Sequence, residues 1–213
     1  MKVAPSILSA DYLHLEKDIR MLNSCADYIH LDVMDGSFVP NISVGFPVAE
    51  AVGKIAEIPV DAHLMVVNPH LWFKRFADCG VSMLSFHLEA SGRRTRKSLA
   101  EIRELGMKAG LVINPDIPVN RLFKYIGDAD YFVIMSVFAG FGGQKFIYES
   151  LDRVSALKKA VRDAGYDTPV EVDGGVTPEL VPALKEAGAD IIVAGSAVFR
   201  SADPGATVNE LKK

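Results

Sequence analysis

The stretch LVPALKEAGADIIVAGSAVF (residues 180–199) contains the pattern that decides the fold. Its first nine residues, LVPALKEAG, place apolar side chains at helical spacing. The glycine that ends them is typical of a helix stop, and it allows a tight entry into the apolar run that follows. The stretch therefore predicts a helix followed closely by a strand.

The same unit recurs along the chain. Runs with β character lie at residues 3–8, 28–35, 60–66, 83–89, 107–114, 131–137, 169–175 and 191–199, and helical-period segments separate them. Strands separated by helices are parallel, and eight units in 213 residues fit a closed (β/α)8 TIM barrel. An open doubly wound sheet is the alternative, but it normally has a glycine-rich fingerprint after its first strand, where this chain reads SILSADY. No linker divides the chain, so we expect one α/β barrel domain over residues 1–213.

Composition narrows the class of protein. The net charge is −4 and no basic run is interleaved with aromatic residues, which argues against a nucleic-acid partner. The N-terminus lacks the features of a signal peptide, and no apolar run approaches the roughly 18 residues of a membrane helix. Cys25 and Cys79 fit reduced thiols that pack at helix ends. We expect a cytoplasmic protein with no membrane partner.

Titratable residues concentrate towards the ends of the predicted strands. His30 and Asp32 are two residues apart, so their side chains share one face of a strand. His63 lies at the end of the third strand and Asp173 at the end of the seventh. A buried carboxylate needs a cation or a proton, and this donor set suits Zn²⁺, Fe²⁺, Mn²⁺ or Co²⁺. The alternative is core histidines that are hydrogen-bonded to carboxylates without a metal.

Three further acidic and histidine residues lie nearby in the sequence. His87 and Glu89 repeat the alternating pattern on the fourth strand. They are a rival ligand pair, although contacts that orient the ligands are the interpretation we favour. Asp35 has the opposite strand parity to Asp32 and precedes Gly36, which indicates a role in a turn.

Glycines follow the last three strands, in GFGGQ (140–144), DGG (173–175) and GS (195–196). Barrels often bind phosphate at the loops after strands 7 and 8, and glycine allows close approach of the backbone. Together these clusters indicate a phosphorylated substrate; the alternative is three ordinary tight turns.

The segments APSILSADY, YIHLDVMDGSFVPNIS, DAHLMV, FHLEA, GFGGQKF, VEVDGGV and AGSAVF resemble the ribulose-phosphate 3-epimerase family in order and spacing. The resemblance runs essentially end to end. It implies a barrel of the ribulose-phosphate-binding type, an isomerase of the pentose phosphate pathway, one divalent metal ion, no organic cofactor, a phosphorylated ketose as substrate, and a homo-oligomer.

The resemblance also implies roles for individual residues. Asp32 and Asp173 would be the catalytic acid–base pair, one on each face of an enediolate, and with His30 and His63 they would hold the metal. Substrate contacts would come from Ser6, His63, Met34, Met65, Met135, Gly140, Phe141, Gly142, Gly143, Gly174, Gly175, Gly195 and Ser196. For each methionine, core packing is the alternative.

Phe138-Ala139 departs from the family pattern, which has Asn-Pro or Glu-Pro before GFGGQ. This change leaves the sugar chain open. D-Ribulose 5-phosphate epimerised to D-xylulose 5-phosphate is the first hypothesis, and a 3-epimerase of a ketohexose 6-phosphate such as D-allulose 6-phosphate is the second. The third is a non-catalytic barrel that binds sugar phosphates. A Schiff-base mechanism is disfavoured because the lysines lie mostly in helical segments.

Overall fold

The computed structural model describes all 213 residues and has eight parallel strands. They are β1 (Lys2–Pro5), β2 (Ile29–Met34), β3 (Val60–Met65), β4 (Met83–His87), β5 (Lys108–Ile113), β6 (Tyr131–Met135), β7 (Val170–Asp173) and β8 (Ile191–Ala194). Neighbours in sequence are neighbours in the sheet, and β1 also pairs with β8. A parallel bridge between Ser6 and His30 joins β1 to β2, so the sheet forms the predicted TIM barrel.

Helices connect the strands and surround them. They are α1 (Leu15–Cys25), α2 (Phe46–Ile55), α3 (Phe73–Asp78), α4 (Leu88–Ser91), α5 (Thr95–Glu104), α6 (Asn120–Phe123), α7 (Glu149–Asp163), α8 (Val181–Ala187), α9 (Ser196–Phe199) and α10 (Pro204–Lys212). Single 3₁₀ turns occur at Ile7–Ser9, Pro69–Leu71, Gly92–Arg94 and Pro178–Leu180. No helix has the length and apolar character that crossing a membrane requires.

The core has two parts because each strand buries both faces. Outward-facing residues such as Leu31, Leu64 and Phe86 pack against the helices in a large cluster. A smaller cluster that includes Val133 and Val193 fills the barrel interior. The polar residues of β2, β3 and β7 interrupt this interior cluster near its carboxyl end, which is the end where barrels place their reactive groups.

All eight strands end one or more residues before the predicted run does, and β1, β4 and β8 are followed directly by helical turns. β1 stops at Pro5 because the Ser6 hydroxyl caps a 3₁₀ turn by accepting a hydrogen bond from the Leu8 amide at 3.3 Å. β8 stops at Ala194, and the helix α9 begins at Ser196. β4 stops at His87, so the prediction that Glu89 continues the strand is wrong: Glu89 lies in α4.

Candidate metal centre and substrate cleft

The register of β2 and β3 brings the predicted ligands together. Asp32 pairs with His63, and Met34 pairs with Met65, so the two strands present matching layers to the lumen. Asp173 closes the group as the last residue of β7. The sequence predicted His63 at the end of the third strand, but it lies two residues before the last residue of β3.

Four ligand atoms from these residues converge. The donor atoms of His30, Asp32, His63 and Asp173 all lie within 4.8 Å of one another. His63 Nδ1 is 3.4 Å from Asp32 Oδ1 and 3.2 Å from Asp173 Oδ2, and His30 Nε2 is 3.5 Å and 3.7 Å from the same two oxygens. Ligand atoms about 2.0–2.2 Å from one ion in a tetrahedral arrangement are about 3.3–3.6 Å apart. The spacing therefore fits one divalent ion.

An unpartnered nitrogen also fits a metal. His30 is fully buried, and its Nε2 has no hydrogen-bond partner although it points at two carboxylates. Its other nitrogen, Nδ1, lies 2.9 Å from Asp61 Oδ2, as expected for a ligand imidazole that is oriented from behind. Hydrogen bonding within the core thus accounts for one nitrogen of His30 and leaves the other available for an ion.

Charged neighbours shift the pKa values of Asp32 and His63 within the cluster. Burial alone would raise the pKa of Asp32, but His30 and His63 hold it below its ordinary value. Burial alone would lower the pKa of His63, but Asp173 and Asp32 raise it. Ser6 Oγ donates a hydrogen bond of 2.5 Å to Asp32 Oδ2, the oxygen that faces away from His63. Asp32 is therefore held as a carboxylate.

A layer beneath the cluster was not singled out in the sequence. Asp61 accepts a 2.7 Å hydrogen bond from Tyr131 Oη, and Glu171 Oε1 lies 3.8 Å from His30 Nδ1. Burial and then the nearby Asp61 raise the pKa of Glu171 well above its ordinary value. Asp61 and Glu171 each lie two residues before a ligand, so the parity that linked His30 to Asp32 could have found both.

His87 lies behind His63. Its Nε2 is 2.9 Å from His63 Nε2, and its Nδ1 is 3.5 Å from Glu89 Oε1. Burial lowers the pKa of His87 to about 4, so the imidazole is neutral at physiological pH. These contacts match the interpretation that His87 and Glu89 orient a ligand.

The other predicted residues line a cleft above the four ligands. Of the predicted site residues, His30 and His63 do not line the cleft, whereas the other two ligands, Asp32 and Asp173, form part of its floor. The predicted residues that line the cleft are Ser6, Asp32, Met34, Met65, Met135, Gly140, Phe141, Gly142, Gly143, Asp173, Gly174, Gly175, Gly195 and Ser196. The sequence did not single out five further lining residues, which are Leu8, Ser9, Val137, Val176 and Val193; Gln144, the last residue of GFGGQ, also lines the cleft. The three methionines are buried and form the apolar part of the wall.

Glycine amides surround one end of this cleft. The N–H groups of Gly140, Gly142, Gly143, Gly174, Gly175 and Gly195 donate to no backbone carbonyl. Gly174 and Gly175 have φ values of +115° and +65°, and a Cβ on Gly174 would lie 2.2 Å from a methyl of Val137. The DGG turn therefore requires glycine. Free amides in a concave turn are suited to an anion.

Residues 138–143, here called the glycine loop, carry the departure from the family pattern. Phe138 and Phe141 are 52% and 54% exposed at the mouth of the cleft. The Ala139 N–H donates to Asn114 Oδ1 at 3.1 Å, a bond that proline could not make. Asp35 lies outside the ligand group and accepts hydrogen bonds from the amides of Ser37, Phe38 and Val67, so the predicted turn role is confirmed.

The lysines and cysteines also lie where the sequence suggested. The two lysines within strands, Lys2 and Lys108, begin β1 and β5, at the end of the barrel opposite the cleft. Cys25 ends α1 and Cys79 follows α3, and both are free thiols.

Solved structures resemble this fold at low sequence identity. 3-Hexulose-6-phosphate synthase superposes with a TM-score of 0.72 at 19% identity, covering 100% of this chain and 98% of that one. A tryptophan synthase α-subunit mutant from Pyrococcus furiosus gives 0.75 at 18% identity, covering 99% and 97%. These likenesses show the barrel fold.

Sequence relatives are much closer. Ribulose-phosphate 3-epimerase of Bacillus subtilis (strain 168) is 43% identical, covering 100% of this chain and 98% of the relative. The Synechocystis enzyme of the same name is 44% identical over 93% and 87%, and a chloroplastic ribulose-5-phosphate-3-epimerase of Arabidopsis thaliana is 39% identical over 99% and 75%. The model of the "Ribulose-phosphate 3 epimerase family" matches residues 2–199. With this match and these identities, the chain belongs to the ribulose-phosphate 3-epimerase family and is an isomerase.

Proposed function

We propose that this chain epimerises C3 of a ketose phosphate, interconverting D-ribulose 5-phosphate and D-xylulose 5-phosphate, with one divalent metal ion as cofactor. The observation that carries the proposal is the convergence of Asp32 and Asp173 with two imidazoles at the floor of the glycine-lined cleft. The full-length relatives named for this reaction support the substrate.

His30, Asp32, His63 and Asp173 would hold the ion, because their donor atoms have the required spacing and a nitrogen of His30 has no other partner. An ion held by these residues would supply Lewis-acid stabilisation of the negative charge that develops on the ketone and C3-hydroxyl oxygens. Without that help an aspartate is a weak base toward a carbon acid.

The two aspartates would transfer the protons. Asp32 and Asp173 project from β2 and β7, which are separated in the ring by β1 and β8, so they can address opposite faces of a planar enediolate. One carboxyl takes the C3 proton while the other delivers its own to the opposite face, and their roles exchange in the reverse direction. The hydrogen bond from Ser6 keeps Asp32 oriented.

The remaining lining residues would bind and shield the sugar. Met34, Met65 and Met135 provide an apolar surface around the reacting carbons and exclude water there. The free amides of the glycines would bind the phosphate, with Gly195 and Ser196 contributing at the end of β8.

The ketohexose 6-phosphate remains a second candidate substrate. Phe138, which stands where the family pattern has a polar residue, is half exposed and lines the cleft next to the glycines proposed for the phosphate. Progress curves with D-ribulose 5-phosphate and D-allulose 6-phosphate, run with metal-loaded and chelator-treated protein, separate the two. We expect the pentose to be preferred and the chelator to abolish turnover; a hundredfold preference for the hexose would reverse the assignment.

A single-domain barrel over residues 1–213, a homo-oligomeric state and a cytoplasmic location remain predictions. A non-catalytic sugar-phosphate barrel would bind ribulose 5-phosphate without turnover, and the same progress curves would reveal it.

A further inference from the structure

Both nitrogens of His63 are engaged, and this restricts where its proton can be. Nδ1 faces the carboxylates of Asp32 and Asp173, while Nε2 lies 2.9 Å from His87 Nε2. At that separation one nitrogen donates and the other accepts, because two protonated nitrogens would repel. If Nδ1 binds a metal it carries no proton, so Nε2 is the protonated nitrogen of His63 and donates to His87.

The same reasoning then fixes His87. Its Nε2 accepts from His63, so Nδ1 is the nitrogen of His87 that carries a proton. Two groups lie near Nδ1: Glu89 Oε1 at 3.5 Å, which can accept its proton, and Asn114 Nδ2 at 3.4 Å, which cannot. His87 is fully buried, so water does not replace this carboxylate. The arrangement of His63 as a ligand therefore depends on where Glu89 is held.

Asn114, the residue after β5, holds Glu89. Its backbone N–H and its side-chain Nδ2 both donate to Glu89 Oε1, at 3.1 Å and 3.0 Å. The other end of the same side chain, Oδ1, accepts the hydrogen bond from the Ala139 N–H in the glycine loop. Asn114 itself does not line the cleft.

We propose that Asn114 is a positioning residue that couples the glycine loop to the metal ligand His63, through Glu89 and His87. The proposal rests on the proposed function, because it takes the ion to lie at His63 Nδ1. As a consequence, the Asn114 side chain links the Ala139 N–H in the glycine loop to the metal ligand His63, so that losing this N–H lowers the affinity for the metal.

The test is a double-mutant cycle read as Zn²⁺ affinity, measured by competition with a chromophoric chelator on the full chain. Asn114→Ala should weaken Zn²⁺ binding about tenfold or more, which is the usual effect of removing a partner that orients a ligand. Ala139→Pro removes the loop N–H, and it also fixes φ at residue 139 and restricts Phe138; it should weaken binding by a smaller factor. The double variant should bind Zn²⁺ no more weakly than Asn114→Ala alone, because both changes break one network.

Two controls separate this network from general destabilisation. Asn23→Ala also removes a side-chain donor and an acceptor, to Ile55 O and from the Glu57 N–H, outside the cleft. Ala139→Gly keeps the N–H. Both should bind Zn²⁺ within twofold of the unmodified chain. If Asn114→Ala does not fold, Asn114→Leu keeps the approximate size and adds no charge but loses the side-chain donor to Glu89 and the acceptor for the Ala139 N–H, and the same tenfold loss is expected.

Zn²⁺ affinity of the folded Asn114 variant within twofold of the unmodified chain would overturn the proposal, and so would losses that multiply in the double variant. The readout needs no substrate. If the unmodified chain binds Zn²⁺ but does not epimerise D-ribulose 5-phosphate, the proposed function fails while the coupling is still measured. If it epimerises and Asn114→Ala retains its Zn²⁺ affinity, only the coupling fails.

Discussion

Asp35 shows how a charged residue beside the candidate site acts on structure alone. Partial burial by itself would raise its pKa, but hydrogen bonds from the amides of Phe38, Val67 and Ser37 hold the pKa below its ordinary value. The Val67 contact ties the loop after β2 to the loop after β3. The carboxylate therefore connects two loops at the cleft end of the barrel through hydrogen bonds.

We expect Asp35→Asn to lower the free energy of unfolding at pH 7 by about 1 kcal/mol. The loss is modest because solvent screens the hydrogen bonds of this partly exposed carboxylate. A carboxyl whose pKa is lower in the folded state stabilises above its unfolded pKa of about 3.9 and loses that contribution as pH falls through the folded value. The difference from the unmodified chain should therefore shrink below about pH 4. Urea unfolding of chelator-treated protein across this range measures it.

The control is Asp167→Asn, at an exposed aspartate outside the helices and strands. It removes the same charge at the surface and should change the free energy of unfolding at pH 7 by less than about 0.5 kcal/mol. A loss for Asp35→Asn that stays constant from pH 7 to pH 3 would contradict the role given to its charge.

Single residues also show what strand parity can and cannot predict. Parity placed His30 and Asp32 on one face, and the structure brings both to the cluster because the side chains of a strand alternate exactly. The contact of His63 with His87 depends on register and ring rotation between β3 and β4, which no local pattern encodes. Asp61 and Glu171 obey the same parity and were missed because they lie one layer deeper than the strand ends.

At the scale of an element, the glycine loop is held by the side chain of the residue that follows it in sequence and by a side chain from the loop after β2. Gln144 Nε2 donates to the carbonyls of Phe138 and Phe141 at 2.7 Å and 2.8 Å, and Asn41 Nδ2 donates to Gly140 O at 2.7 Å. A loop with few apolar anchors and two half-exposed phenylalanines depends on such bonds for its shape.

We expect Gln144→Met to raise KM for D-ribulose 5-phosphate by about tenfold, because two hydrogen bonds of about 0.5–1.5 kcal/mol each no longer preorganise the loop. The melting temperature should change little, since the Gln144 side chain bonds only loop carbonyls, which can be released without unfolding the barrel. Steady-state kinetics and a thermal scan measure the two effects, with Asn23→Ala as the control. An unchanged KM would show that the loop does not need Gln144 to bind substrate.

Element type was predictable where periodicity was strong, and element ends were not. Each of the eight predicted strands is present, because apolar runs bounded by glycine turns have few other stable arrangements in a barrel. The ends of β1, β4 and β8 were overestimated because the apolar pattern continues into short helices at Ile7–Ser9, Leu88–Ser91 and Ser196–Phe199. The turn at Ile7–Ser9 is capped by Ser6, but the helices at Leu88–Ser91 and Ser196–Phe199 have no side-chain cap. No local signal therefore marked the end of β4, and Glu89 was placed on the wrong element.

At the scale of the whole molecule, the candidate metal centre joins strands that are distant in sequence. Its ligands come from β2, β3 and β7, on both sides of the closing bridge between Ser6 and His30. An ion held there would cross-link the first and last quarters of the chain in the folded state alone. Counting eight units predicted the barrel, but this convergence required the closed ring.

We expect Zn²⁺ at 100 times its dissociation constant to stabilise the chelator-treated protein by about 2.7 kcal/mol. For a chain of this size that corresponds to a rise in Tm of about 5–10 °C. Asp32→Asn should lose most of this rise, whereas Asp167→Asn should keep it. A Tm that does not change with Zn²⁺ would contradict the proposal that His30, Asp32, His63 and Asp173 hold a metal ion.

The most direct measurement of the proposed chemistry is incorporation of solvent deuterium at C3 of D-ribulose 5-phosphate, followed by NMR with the metal-loaded protein in heavy water. The account predicts rapid incorporation with the unmodified chain, accompanied by formation of D-xylulose 5-phosphate. It predicts a loss of about a hundredfold or more with Asp32→Asn and again with Asp173→Asn, since each removes one of the two proton-transferring groups. Exchange at near-unmodified rates in either variant would contradict the assignment of Asp32 and Asp173 as the acid–base pair.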